Sequence, residues 1–153
     1  MAWKLVLFGK PSPFAGAEEE RFLKRIRVWR PVEVVELKTA QQGSVEACLK
    51  AERAEFERRV GWDGALVVLD ERGERLASVD FPRERERREQ LWGGKMVFVV
   101  GSAYGLDPEF RKKAKWLLSL SPMTLSHDHA RVLLIEQLYR ALCIQKGHGY
   151  HHA

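Results

Sequence analysis

Two loops in the last third of the chain carry the residues best suited to chemistry. The first, Gly101-Ser102-Ala103-Tyr104-Gly105, directly follows the apolar run 96–100. Glycine after a strand permits a tight turn and lets a ligand approach the backbone closely. Because the spacing is not GxGxxG, the pattern leaves a cofactor loop and an ordinary turn equally open.

The second loop is LSPMTL, residues 120–125, which follows the apolar run that begins at Trp116. Its backbone groups could bind an adenine while its leucine, methionine and proline side chains pack on the ring. On pattern alone, an ordinary strand-to-helix connection is the favoured interpretation.

All five histidines lie in the same third of the chain. His127 and His129 precede the last predicted helix, and His148, His151 and His152 follow it. Their spacing invites a metal hypothesis, but no cysteine lies nearby and the acidic residues are not grouped with them. We therefore predict no metal site, and we interpret Asp128 as the N-cap of a helix that begins at His129.

Three groups of basic residues are possible anion ligands. Helix 129–146 has one broad apolar face, which leaves Arg131 and Arg140 as possible ligands for phosphate or carboxylate. The basic stretches 21–30 and 111–115 could touch a phosphate backbone, or they could be solvated helix faces. For the charged run RERERRE within helix 81–92, a solvated face is the favoured interpretation.

The elements that must position these residues alternate along the chain. Hydrophobic patterning and turn residues predict strands over 2–9, 32–38, 65–73, 96–100 and 116–120. Helices are predicted over 16–29, from a Ser44 cap to Gly61, over 81–92 and over 129–146. This alternation predicts an α/β fold with a mainly parallel sheet, in a single domain over 1–153.

Composition narrows the classes of function. The 153 residues are 45% hydrophobic and 31% charged, as in a globular protein, with a net charge of +5 that favours an acidic partner, nucleic acid first. No apolar run approaches the roughly 20 residues that span a bilayer, and the first residues read as a strand. We therefore expect a cytoplasmic protein without membrane contact, with Cys48 and Cys143 as buried thiols.

Longer blocks of the sequence resemble a known family. SLSPMTLSH (119–127), RVLLIEQLYRA (131–141), the GSAYGL loop and the final YHH are similar to the RlmH family of ribosomal RNA large subunit methyltransferases. The resemblance runs essentially end to end and includes LDERG at 69–73. Departures are Ser102, Ala103 and Tyr104 in the glycine loop, and His152 where the family has Arg or Lys.

The resemblance implies a fold and an activity. The family has the SPOUT α/β fold, so a trefoil knot in approximately residues 65–153 is implied, as is a homodimer. It also implies S-adenosylmethionine as methyl donor, and methylation at N3 of a pseudouridine in 23S rRNA of assembled ribosomes, with no DNA partner. The alternative is a degenerate, non-catalytic module that binds RNA or ribosomes.

The resemblance also implies roles for individual residues. Tyr150 and His151, with Arg131, are the catalytic candidates: His151 or a water would accept the N3 proton, while Arg131 and Tyr150 orient the ring. Tyr104, His127 and His152 are the substrate-binding candidates. The cofactor-binding candidates are Leu69, Gly101, Leu120, Ser121, Pro122, Met123, Thr124 and Leu125.

Overall fold

The computed structural model describes residues 2–41 and 43–152, in which strands and helices alternate along the chain. The strands are β1 (Trp3–Phe8), β2 (Val32–Leu37), β3 (Ala65–Arg75), β4 (Met96–Val100) and β5 (Trp116–Ser119). The helices are α1 (Pro13–Ile26), α2 (Val45–Arg59), α3 (Phe81–Leu91), α4 (Pro108–Lys113) and α5 (His127–Gln145). Both ends of the predicted domain, Met1 and Ala153, lie outside the described residues.

The strands form one sheet in the order β2-β1-β4-β3-β5, and every pairing is parallel. The prediction of an α/β fold with a parallel sheet is therefore confirmed. In a parallel sheet, all strands end at the same edge. The loops that follow β4 and β5 therefore lie at one edge, next to residues 70–73, where a register shift interrupts the pairing of β3 with β5.

Side chains alternate between the two faces of the sheet, as the pleat requires. Leu5 and Leu7 of β1 belong to a core shared with Phe22 of α1, Phe81 of α3 and Leu138 of α5. Their neighbours in the same strand point the other way: Val6 and Phe8 pack with Phe56 of α2 and Phe110 of α4. Helices α1, α3 and α5 therefore cover one face, and α2 and α4 the other.

Helix α1 and strand β3 differ from the sequence prediction at their boundaries. Helix α1 begins at Pro13 rather than residue 16, because the Ser12 hydroxyl accepts a hydrogen bond from Ala15 N–H and proline suits the first helical position. It ends at Ile26, before the predicted end at 29. Strand β3 continues past Gly73 to Arg75, because its last residues pair with β5 after a register shift.

The charged run in α3 is only partly solvated, so its interpretation as a solvated face was incomplete. Arg85 and Glu89 are buried and form an ion pair across one helical turn. Glu89 also contacts Arg30, and both guanidinium groups lie over the Trp3 ring, at 4.3 Å and 5.0 Å from its centroid. Burial lowers the pKa of Arg85 to about 10.

None of the described helices is both long enough and apolar enough to cross a membrane.

Candidate active site

The loops that follow β4 and β5, together with residues 68–72 of β3, line a cavity of about 660 Å³. Most of the predicted site residues line it, although they come from segments more than 50 residues apart. Those in the wall are Leu69, Gly101, Tyr104, Leu120, Ser121, Met123, Thr124, Leu125 and His127. Among the described residues, Pro122 is not part of the wall, although its two neighbours are.

The loop that follows β4 is a tight turn closed by its own backbone. Gly105 N–H donates to the Ser102 carbonyl at 2.9 Å, and Gly105 has a φ of 87°, a conformation that favours glycine. A Cβ on Gly101 would lie 2.5 Å from the Gly105 carbonyl oxygen. Glycine is therefore required at position 101 for the turn to close, and its backbone is left open to the cavity.

The loop 120–125 is tied to the extension of β3. The Thr124 hydroxyl donates to the Glu71 carboxylate at 2.6 Å, and the Ser119 hydroxyl lies 2.9 Å from the Ser121 carbonyl oxygen. Ser121 in turn accepts a hydrogen bond from Met123 N–H at 3.0 Å. These contacts fix the backbone of the loop, while the Met123 side chain remains 74% exposed at the mouth of the cavity.

Charged groups gather on one side of the cavity. Asp70 lies 2.8 Å from Arg111 of α4 and accepts a hydrogen bond from Arg72 N–H at 2.8 Å. Glu71 and both arginines are also part of the wall. Sequence reasoning placed only Leu69 of this segment in the site, although the LDERG motif directly after a buried strand was the available signal.

Helix α5 begins at the cavity, two residues earlier than predicted. Its N-cap is Ser126, whose hydroxyl accepts from His129 N–H at 3.3 Å, so the assignment of Asp128 as N-cap was wrong. Asp128 instead accepts a hydrogen bond from Ser12 N–H at 3.3 Å. Partial burial alone would raise the pKa of Asp128, but hydrogen bonds from Ser12 outweigh burial and lower it.

Arg131 does not face the cavity. It is 1% exposed, and its guanidinium binds both Glu19 oxygens at 2.8 Å and 3.0 Å, Glu36 at 3.0 Å and the Gly9 carbonyl at 2.8 Å. Burial would lower the pKa of Arg131, but the bonds to Glu19 and Glu36 raise it overall. With its donors committed inside the protein, Arg131 joins α5 to α1 and the β1–β2 edge. The ring-orienting role expected for it does not fit this position.

The tail packs on α5, away from the cavity. The Tyr150 hydroxyl donates to Glu136 at 3.0 Å, and the His151 ring lies 2.9 Å from Arg140. Burial and the bond to Glu136 raise the pKa of Tyr150. Glu136 lies nine residues after His127, about 14 Å along the helix at 1.5 Å per residue. Neither Tyr150, His151 nor the exposed His152 is among the described residues that line the cavity.

Comparison with known proteins defines the class to which this fold and cavity belong. Residues 1–151 match the family model described as "Predicted SPOUT methyltransferase", so the chain belongs to the SPOUT methyltransferase family. The expected SPOUT family and α/β fold are thereby confirmed.

Individual relatives carry a more specific name than the family model does. The chain is similar to "Ribosomal RNA large subunit methyltransferase H" of Thermotoga neapolitana, at 34% identity over 99% of this chain and 100% of that protein. The protein of the same name from Desulfovibrio desulfuricans is 39% identical over 92% of this chain and 90% of its own length.

Solved structures agree on the fold alone. A probable methyltransferase from Bordetella pertussis matches with a TM-score of 0.56 and 13% identity, over 92% of this chain and 95% of that one.

Proposed function

We propose that this protein is an S-adenosylmethionine-dependent methyltransferase that acts on N3 of a pseudouridine in the 23S rRNA of assembled ribosomes. The observation that carries the proposal is the meeting of two strand-end loops and residues 68–72 of β3 in one cavity, within a chain that is similar to a named relative along nearly its whole length. The name of those relatives supports ribosomal RNA as the class of substrate, and the resemblance in sequence supports the choice of base and atom. We also propose that residues 65–153 form the knot and that the protein acts in the cytoplasm.

The residues of the cavity fit S-adenosylmethionine. Its volume of about 660 Å³ lies in the range of cofactor sites. Leu69, Leu120 and Leu125 provide apolar contacts for the adenine, and the backbone of Gly101 can approach the ligand closely. Of the two acids in the wall, Asp70 is paired with Arg111, and Glu71 provides a carboxylate near a donor that carries a sulfonium and an ammonium group. When bound, that donor supplies an already activated methyl group.

The protein must then hold the base and remove its N3 proton. His127 at the wall, Tyr104 at the mouth and the exposed His152 remain our candidates for contacting the RNA. Tyr150 and His151 remain the candidates for orienting the base and accepting the proton. Because the tail does not line the cavity of its own protomer, these two residues would have to act on the cavity of a second copy.

We therefore propose a homodimer in which each tail completes the partner's site. The test mixes Gly101→Ala, with a damaged cavity, and Tyr150→Phe/His151→Ala, with a damaged tail, at a cofactor concentration too low to saturate the Gly101→Ala cavity. If sites are shared, random exchange gives mixed dimers with one intact site, and activity recovers to about a quarter of wild type. Absence of recovery, with exchange verified by mass, would contradict the shared site.

Methyl transfer from labelled S-adenosylmethionine is the direct test of the activity. Assembled ribosomes, isolated subunits and free 23S rRNA are compared as substrates, and the modified nucleoside is identified by mass spectrometry. We expect labelled N3-methylpseudouridine in assembled ribosomes, with weaker labelling at higher salt because phosphate contacts are screened. Binding to ribosomes without incorporation of label would instead support the non-catalytic module.

A further inference from the structure

Helix α2 carries a buried carboxylate that the proposed reaction does not use. Glu52 is 3% exposed, and each of its oxygens accepts one hydrogen bond. The Ser102 hydroxyl donates to Oε1 at 2.9 Å, and the Ala40 N–H donates to Oε2 at 3.0 Å. Both donors are uncharged, so burial of this carboxylate is compensated by hydrogen bonds rather than by a neighbouring cation.

Ser102 connects this carboxylate to the cavity. It follows Gly101 in the wall, and its carbonyl accepts the 2.9 Å bond from Gly105 that closes the turn. Its hydroxyl also lies 3.4 Å from Tyr104 N–H. The buried Ser102 therefore contacts Tyr104 and Gly105 within the turn, and it contacts helix α2 through Glu52.

The next residue of α2 holds the other end of the same loop. Arg53 lies 3.2 Å from the carboxylate of Asp107, which is buried and caps α4 by accepting from Glu109 N–H at 2.9 Å. Helix α2 thus contacts the segment 101–107 at Ser102 and at Asp107. Neither Glu52 nor Arg53 is among the described residues that line the cavity.

We propose that Glu52 and Arg53 are positioning residues that set the shape of the 101–107 loop and thereby the affinity for S-adenosylmethionine. This inference rests on the proposed function, because it assumes that the cavity binds that cofactor. Glu52 acts through Ser102, and Arg53 acts through Asp107. The Ser102 hydroxyl is essential to the first of these contacts, because a glycine at position 102 would have no group to donate to Glu52.

The test is the Glu52→Gln variant, with Glu55→Gln as the matched control. Glutamine keeps the size of the side chain, but its amide cannot accept hydrogen bonds at both ends, so either Ser102 or Ala40 loses its acceptor. We expect the Kd for S-adenosylmethionine, measured by calorimetry, to rise about tenfold, as an unsatisfied buried donor implies. Glu55 lies on the same helix, where its partner is the exposed Arg58 at 2.8 Å, and its variant should bind within about twofold of wild type.

Kinetics separate positioning from a general loss of structure. Glu52→Gln should raise KM for S-adenosylmethionine, while kcat at saturating cofactor and KM for ribosomes stay near wild type. Ser102→Ala should reproduce the effect, and combining it with Glu52→Gln should add little, because both changes break the same contact. Should Glu52→Gln fail to fold, Ser102→Ala and Arg53→Met decide the question.

Two outcomes overturn the inference, and they are distinguishable. If wild type binds S-adenosylmethionine and the folded variants at Glu52, Ser102 and Arg53 all bind it equally well, the contacts from α2 do not determine the cofactor affinity of the 101–107 loop. If wild type itself does not bind, the proposed function fails, and this inference fails with it.

Discussion

Replacing Arg131 with methionine separates a structural role for this residue from a role in contacting substrate. Methionine fills much of the same volume but removes every charged hydrogen bond that joins α5 to Glu19, Glu36 and the Gly9 carbonyl. Glu19 is 5% exposed, so the change leaves a buried carboxylate without its main partner. A structural role predicts loss of stability first and loss of activity only as a consequence.

The expected loss of unfolding free energy follows from the burial of the ion pair between Arg131 and Glu19. Breaking a buried ion pair by removing one partner costs about 3–5 kcal/mol of unfolding free energy. For a chain of this length each kcal/mol lowers Tm by about 2–4 °C, so we expect a decrease of about 6–20 °C. The control is Arg87→Met on α3, whose ion pair with Glu84 lies at the surface and should contribute little to stability.

Urea unfolding and thermal melts measure the stability of both variants without cofactor. The double variant Arg131→Met/Glu19→Leu should be more stable than the sum of the single changes predicts, because it removes both buried charges together. Below its melting temperature, Arg131→Met should keep measurable affinity for S-adenosylmethionine. A variant as stable as wild type but with activity reduced 100-fold or more would refute this reasoning and restore Arg131 as a substrate contact.

Three further changes test other parts of the structure. Gly101→Ala places a Cβ 2.5 Å from the Gly105 carbonyl oxygen, so calorimetry should find cofactor affinity at least about tenfold weaker, whereas Gly43→Ala, in open space, should bind normally. Glu89→Gln removes the charge shared by the buried guanidinium group of Arg85 and the half-buried one of Arg30, and should cost about 3 kcal/mol in urea unfolding. Since the folded pKa of Asp128 is lowered, its stabilisation relative to Asp128→Asn should be present at neutral pH and disappear as pH falls below its ordinary value of 3.8.

Local sequence signals determined most of the fold. The apolar run 96–100 is strand β4 to the residue, and Ser44 caps α2 by accepting from Ala47 N–H, as predicted. Both features depend on neighbours within a few positions, so a linear pattern contains the needed information. The strand-end loops were identified for the same reason, because a glycine-rich or polar segment after a buried strand marks the edge where ligands bind.

The tertiary structure decided which polar residues face the cavity and which are committed elsewhere. Arg131 bonds to Glu19, 112 positions away, and Glu52 bonds to Ser102, 50 positions away. The neighbouring sequence does not distinguish a buried, paired arginine on an amphipathic helix from an arginine that is free to bind a phosphate. The tail is similar: its sequence shows that Tyr150 and His151 are residue types able to take part in catalysis, but only packing against Glu136 and Arg140 places them away from the cavity. The partners of a charged side chain depend on which helix faces and strand ends the fold brings together, and that is a property of the whole chain.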